Sequence, residues 1–127
     1  MVEVKNVTKR YQGKTVLDNV SVTIAHQAVT AFIGPNGAGK STLLSVICRL
    51  VAKDGGEVRV EGKEIGQYDS FELARKLSIL KQANSMPIRL TVRELVGFGR
   101  FPHSRGRLTN EDQKYINEAI RYAGLEH

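Results

Sequence analysis

The 127-residue sequence predicts an α/β fold, and three observations carry that prediction. The first is Gly34-Pro35-Asn36-Gly37-Ala38-Gly39-Lys40-Ser41-Thr42, which fits the phosphate-binding loop pattern G-x-x-x-x-G-K-S/T. The second is what flanks it: a short apolar, β-branched run, Ala28 to Ile33, and then Leu43, Leu44, Val46, Ile47, Leu50 and Val51 at helical spacing. The third is a change of character near Ala83, from strand-rich to helix-only. Glycines at 34, 37 and 39 let the backbone close around phosphates with N–H groups pointing inward, where a Cβ would intrude. Lys40 supplies the counter-charge for the β- and γ-phosphates, the Ser41 hydroxyl suits a magnesium ion, and Thr42 is the next donor. A turn without ligand needs neither the lysine nor the hydroxyl pair at that offset.

Taken in order, Val2, Val4 and Val7 alternate with polar residues, as do Val20, Val22 and Ile24, so residues 2–24 read as antiparallel strands about a turn at Gly13. Tyr11 lies between them. It either packs on the sheet, the commoner fate of a strand aromatic, or offers a flat ring to a nucleobase. Residues 28–33 read as a strand covered on both faces, and a helix follows from about Lys40 with its positive end toward the phosphates. A turn at Lys53–Glu57 and an alternating strand at Val58–Gly62 return the chain to the antiparallel sheet. Asp69 and Glu72 then open a short helix whose apolar side is Phe71, Leu73, Ala74 and Leu77. Ser78–Gln82 reads as a strand, placing the Gln82 amide at a C-terminal strand end, where ligands sit in open α/β sheets; a plain loop residue is the alternative. Beyond a loop containing Pro87, Thr91 and Glu94 form a capping box, with Leu90 set to staple onto Leu95, for a helix to about Phe98. Phe98–Arg107 reads as a flexible basic loop, and Thr109–Asp112 cap a last helix that presents Ile116, Ala119, Ile120 and Ala123 and ends at Gly124.

Composition narrows the class. With 41% hydrophobic and 25% charged residues the chain is globular, and no apolar run approaches the roughly 18 residues of a membrane span. Residues 1–5 have no signal-peptide core, so a cytoplasmic protein is expected. The net charge of +6 is scattered without interleaved aromatics, which argues against a nucleic-acid partner. Some of that charge can still serve an anionic membrane surface or attract a polyphosphate. Cys48, in the apolar helix, reads as a buried spectator thiol, and His26, His103 and His127 show no metal-ligand spacing.

The stretch from Gly34 to Leu44, preceded by Tyr11 and followed by Gln82, closely resembles the ATP-binding subunit of ABC transporters over nearly the whole chain. That resemblance implies a P-loop NTPase-type core, a parallel sheet with helices, plus an antiparallel β subdomain and the start of a helical subdomain. By it, residues 1–127 form the N-terminal part of one ABC ATPase domain: about 1–82 the nucleotide-binding core with the β subdomain, about 83–127 the opening of the helical one. It implies ATP and Mg2+ as ligands, with Gly34, Pro35, Asn36, Gly37, Ala38, Gly39, Lys40, Ser41 and Thr42 as the phosphate cradle. Tyr11 would stack on adenine, reversing the local reading. Gln82 would be the Q-loop glutamine that senses magnesium and the attacking water, so Lys40 and Gln82 are the catalytic candidates and Ser41 and Gln82 the metal candidates. The implied partners are membrane permease subunits docking on the helical part, a second ATPase subunit in a homodimer and, indirectly, a solute-binding protein. The implied location is the cytoplasmic face of the membrane.

Leu90–Val96 followed by Gly99–His103 resembles the branch that serves importers of iron–siderophore and related chelates. The family's L-S-G-G-Q type helix, Walker B carboxylates and switch histidine do not occur in these 127 residues. The chain is therefore expected to be a truncated domain that self-associates or is only marginally folded, its last residues native or tag-derived. Two alternatives stay open: a chain that binds ATP without turning it over, and a soluble ABC-type ATPase unconnected to a permease.

Overall fold

The computed structural model describes residues 1–126, so His127 lies outside the described residues. The chain divides into two compact units, residues 1–69 with 77–79, and residues 70–76 with 80–126.

In the first unit, strands β1 (Val2–Tyr11), β2 (Lys14–Ile24), β3 (Gly55–Val60) and β4 (Lys63–Glu64) form one antiparallel sheet in the order β2-β1-β3-β4. The β1–β2 turn is Gln12-Gly13 with both φ positive, 46° and 79°, the condition for a two-residue hairpin whose twist matches its strands. Val4, Val7, Leu17, Val58 and Val60 are all buried; Val58 and Val60 keep period-2 alternation, while Val4 and Val7, three residues apart, share a face across a register shift. Bulges interrupt both ladders of β1, the β1–β2 register shifting between Val4 and Val7, between Val7 and Lys9 and between Lys9 and Arg10, and the β1–β3 register between Lys5 and Thr8. Asn6 and Asn19 adopt positive φ, 52° and 51°. The side chains of this region satisfy the freed groups, Ser21 Oγ accepting from Asn6 N at 2.9 Å and Thr8 Oγ1 from Asn19 N at 3.2 Å. Opposite the bulge at Asn6 sits Gly56, at φ 83°.

Helix α1 (Lys40–Ile47) buries Leu43, Val46 and Ile47 in the same core. It ends in a Schellman motif: Arg49 N donates to Val46 O and Leu50 N to Ser45 O, at 3.0 and 2.9 Å. Arg49, not glycine, takes the left-handed position, at φ 58°. That conformation costs a side chain about 1–2 kcal/mol. Cys48, expected buried, is half-buried, and that burial pushes its thiol pKa up. Ile65 and Tyr68 close the unit, the Tyr68 hydroxyl donating to Val60 O at 2.7 Å.

Two expected strands do not form among the described residues. Residues 28–33 and 78–82 carry no ladder partner, and Val29, Ile33 and Leu80 are 101%, 94% and 89% exposed. A strand exists only by pairing. The composition of residues 28–33 suits a sheet interior, but neither run is a member of the antiparallel sheet.

The second unit is helical, with α2 (Ser70–Lys76), α3 (Val92–Gly97), α4 (Phe101–Ser104) and α5 (Asn110–Tyr122). Both capping boxes form, Thr91 with Glu94 and Thr109 with Asp112. Leu73, Ile116 and Ile120 make the core; Ala119 and Ala123, expected on the buried face, are exposed, as is Leu95. The expected flexible loop at Phe98–Arg107 is instead a 3-10 turn (Phe98–Arg100) running into α4. Pro102 lies in the first turn of α4, where its fixed φ favours a helix. The turn is held from α2: Arg75 Nε donates to Pro102 O at 2.9 Å and the Phe71 and Phe101 ring centroids lie 5.9 Å apart.

Asp112 is the buried charge of this unit. Its Oδ2 accepts from Thr109 N at 2.8 Å and its Oδ1 from Arg100 Nε at 2.7 Å. Those bonds, the Thr109 amide first and then the Arg100 guanidinium, hold its pKa down at about 2, against an ordinary 3.8. A depressed carboxylate stabilises above its unfolded pKa and loses that contribution as pH falls through its folded one. Helicity of this unit is therefore expected to weaken between about pH 4 and pH 2, a loss that Asp112→Asn, read by far-UV circular dichroism, shows already at neutral pH.

Candidate functional site

The loop from Gly34 to Gly39 has no regular structure and leads directly into α1. Two of its glycines are forced by geometry. Gly37 stands at φ 85° and Gly39 at φ 97°, and a Cβ on Gly39 would come within 2.9 Å of Val16 O and Leu17 Cδ2. Gly39 thus lies against β2 with no space for a side chain. Ala38 N donates to Pro35 O at 3.2 Å, closing the loop as a turn.

Into this turn folds the Lys40 side chain, its Nζ donating to Gly34 O at 2.5 Å and to Pro35 O at 2.8 Å. An ammonium held by carbonyls at the mouth of a helix is a cation ready to exchange those acceptors for anionic oxygens. No acidic side chain occupies the first turn of α1, so the positive end of the helix meets no competing carboxylate there. Ser41 and Thr42 occupy that first turn.

Tyr11 is the last residue of β1, paired with Lys14 across the hairpin turn, and is 44% exposed. The Lys9 ammonium stands 5.0 Å from its ring centroid. Tyr11 is thus part-exposed at the end of its strand, with the Lys9 ammonium over one face of its ring. Tyr11, residues 34–42 and the β2 segment under Gly39 all belong to the first unit. Gln82 belongs to the second, in an exposed stretch without regular structure.

Sequence reasoning missed Asp54 and Arg49. Asp54 Oδ2 accepts from Arg10 N at 2.7 Å and stands 3.7 Å from Lys9 Nζ, so it orders the end of β1 that presents Tyr11. The Arg49 guanidinium donates to Ile65 O at 2.9 Å and Tyr68 O at 2.7 Å. Both partnerships cross more than 15 residues, and no local pattern announces them.

The ABC transporter family profile matches residues 17–127, the greater part of the chain. The chain belongs to the ABC transporter family. Among its relatives, the petrobactin import ATP-binding protein YclP of Bacillus subtilis is 62% identical over 126 residues, which cover 99% of this chain and 50% of that protein. The ferric enterobactin transport ATP-binding protein FepC of Escherichia coli is 39% identical over 125 residues, 97% of this chain and 46% of that one. The chain thus spans about half the length of these relatives. Among solved structures, the ATP-binding cassette MJ0796, dimeric and bound to ADP and Pi, superposes with a TM-score of 0.79 at 32% identity, covering 100% of this chain and 59% of that one. The fold implied by the resemblance, part of an ABC cassette, is therefore the fold of this chain, with the antiparallel sheet and helical elements formed among the described residues.

The second unit holds an apolar cavity of about 540 Å3, with Leu90, Phe98, Phe101 and Leu108 among its walls. No helix among the described residues is long and apolar enough to cross a membrane.

Proposed function

We propose that the chain is the nucleotide-gripping part of an ABC importer's ATP-binding subunit, and that the solute driven inward is an iron–siderophore or similar chelate. The observation that carries the nucleotide half of this reading is the Lys40 ammonium seated between the Gly34 and Pro35 carbonyls at the N-terminus of α1. The solute half rests on likeness to proteins named for petrobactin and enterobactin transport.

On this reading residues 1–82 are the nucleotide core with its β subdomain and residues 83–127 open the helical subdomain. The triphosphate enters the turn at residues 34–39, Lys40 exchanges its two carbonyl acceptors for β- and γ-phosphate oxygens, and the backbone N–H groups at the start of α1 complete the cradle. Tyr11 supports the adenine. The Ser41 hydroxyl is a hard oxygen donor that suits magnesium, which keeps waters and phosphate oxygens for the rest. Magnesium, when bound, would neutralise charge on the phosphates. Phosphoryl transfer then depends on positioning and electrostatics, with Lys40 stabilising the charge that develops on the transferring group. The working assembly is a pair of such subunits on the cytoplasmic face of a permease, fed by a solute-binding protein.

A chimera tests this reading. Residues 1–126 of this chain replace the matching part of the Bacillus subtilis petrobactin import ATP-binding protein in cells that lack it, with petrobactin as iron source. Growth is expected with the native residues and not with Lys40→Ala. A chimera that accumulates normally yet supports no growth contradicts the importer assignment.

A further inference from the structure

The chain ends two helices with the same Schellman motif and fills the left-handed position differently. After α5, Gly124 takes it at φ 70°, with Gly124 N donating to Arg121 O and Leu125 N to Ile120 O, both at 3.0 Å. Glycine is what the backbone alone asks for. After α1 the position is held by Arg49 at φ 58°, a residue that the conformation penalises. What distinguishes the two ends is the work of the side chain. Arg49 Nη1 donates to Ile65 O at 2.9 Å and to Tyr68 O at 2.7 Å, reaching the carbonyls that follow β4. Tyr68 is itself anchored, its ring buried and its hydroxyl bonded to Val60 O of β3.

Helix α1 is therefore fixed at both ends to the antiparallel sheet unit. Its N-terminal end is set by Gly39, packed against Val16 O and Leu17 of β2 without space for a Cβ. Its C-terminal end is set by the Arg49 guanidinium. The helix is only eight residues long, and Lys40 is its first. A rigid rod of two turns transmits a change at one end to the other. We propose that Arg49 is a positioning residue for triphosphate binding: its guanidinium latches the far end of α1 to the Ile65–Tyr68 segment and so fixes where the helix mouth, Lys40 and Ser41 meet the β- and γ-phosphates. This inference rests on the nucleotide reading of the loop given above. It assigns a phosphate-site role to a residue at the opposite end of the helix.

The backbone preference and the side-chain role pull in opposite directions, which makes them separable. Arg49→Gly relieves the left-handed strain and removes the latch; Arg49→Lys keeps the strain and a single amine that can hold one carbonyl. Each is titrated with Mg-ATP and with AMP, which retains the base and lacks the β- and γ-phosphates. Arg49→Gly trades relief of the left-handed strain against two lost hydrogen bonds, so its thermal midpoint is expected to move by no more than a few degrees, while Mg-ATP binding weakens by about tenfold and AMP binding by less than about twofold. Arg49→Lys is expected to recover part of the Mg-ATP affinity, with no gain in midpoint. Unchanged Mg-ATP affinity in a folded Arg49→Gly chain overturns the proposal, and so does an equal loss for both nucleotides, the mark of a merely structural residue. Should the unsubstituted chain bind no Mg-ATP, the reading of the loop itself falls. The latch is then read without nucleotide, from amide hydrogen exchange over Leu43–Cys48: faster exchange in Arg49→Gly supports it and unchanged exchange overturns it.

Discussion

Replacing Lys40 by alanine is expected to weaken Mg-ATP binding by roughly 100-fold while leaving the fold intact. In the ligand-free chain the ammonium already has two acceptors, the carbonyls of Gly34 and Pro35. Binding is therefore an exchange, and only the difference between a neutral carbonyl and a charged phosphate oxygen counts. Both sets of bonds have a charged donor, and with phosphate the acceptor is charged as well; an advantage of about 1.5 kcal/mol per exchange gives about 3 kcal/mol for two, close to two powers of ten in affinity. Stability follows another ledger. Gly34 and Pro35 are exposed, so water replaces the lost donor and the melting midpoint should move by no more than a few degrees. Calorimetric titration beside a thermal melt reads both, and full affinity in a folded Lys40→Ala chain would remove the lysine from the site.

Substituting Gly56 with alanine is expected to have the largest effect on stability. Gly56 stands at φ 83° opposite the Asn6 bulge, and a Cβ there would run into the carbonyl groups of Asn6 and Lys5. Those atoms are backbone, held in the β1–β3 ladder on one side and the β1–β2 ladder on the other. They cannot swing aside as a side chain can. The left-handed penalty of about 1–2 kcal/mol is joined by separation of the ladder around Val4 and Val58, and the sum of about 3–5 kcal/mol is much of a domain's usual margin. Gly62 is the control. It stands at φ 81° with nothing within 4 Å of a Cβ, so alanine there should cost only the backbone part. Urea unfolding of the two variants gives the comparison, and equal midpoints would show that the bulge yields.

Much of this structure could be read from residue order because its determinants are local. Alternating valines give β1 and β3, positive-φ Gly13 gives the hairpin, and the Thr91–Glu94 and Thr109–Asp112 pairs place two helix starts. The turn at residues 34–39 was legible for the same reason, since its glycines and Lys40 shape it within a few consecutive residues. Where the reading failed, the deciding partner lay far along the chain. Residues 28–33 have the composition of an interior strand, but pairing is a property of two segments, and the second is not supplied by the described residues. Phe98–Ser104 looked like a loop because Gly99 and Pro102 break helices in isolation. Contacts from Phe71 and Arg75 overrule that weakness. Arg49 and Asp54 escaped notice because charged residues near a turn are ordinary until the carbonyl or amide they reach is known.

The most direct test is a calorimetric titration of the folded 127-residue chain with Mg-ATP. The account predicts saturable binding of one nucleotide per chain, competed by ADP. A chain that is folded by circular dichroism and yet gives no binding heat and no competition at saturating Mg-ATP would contradict it.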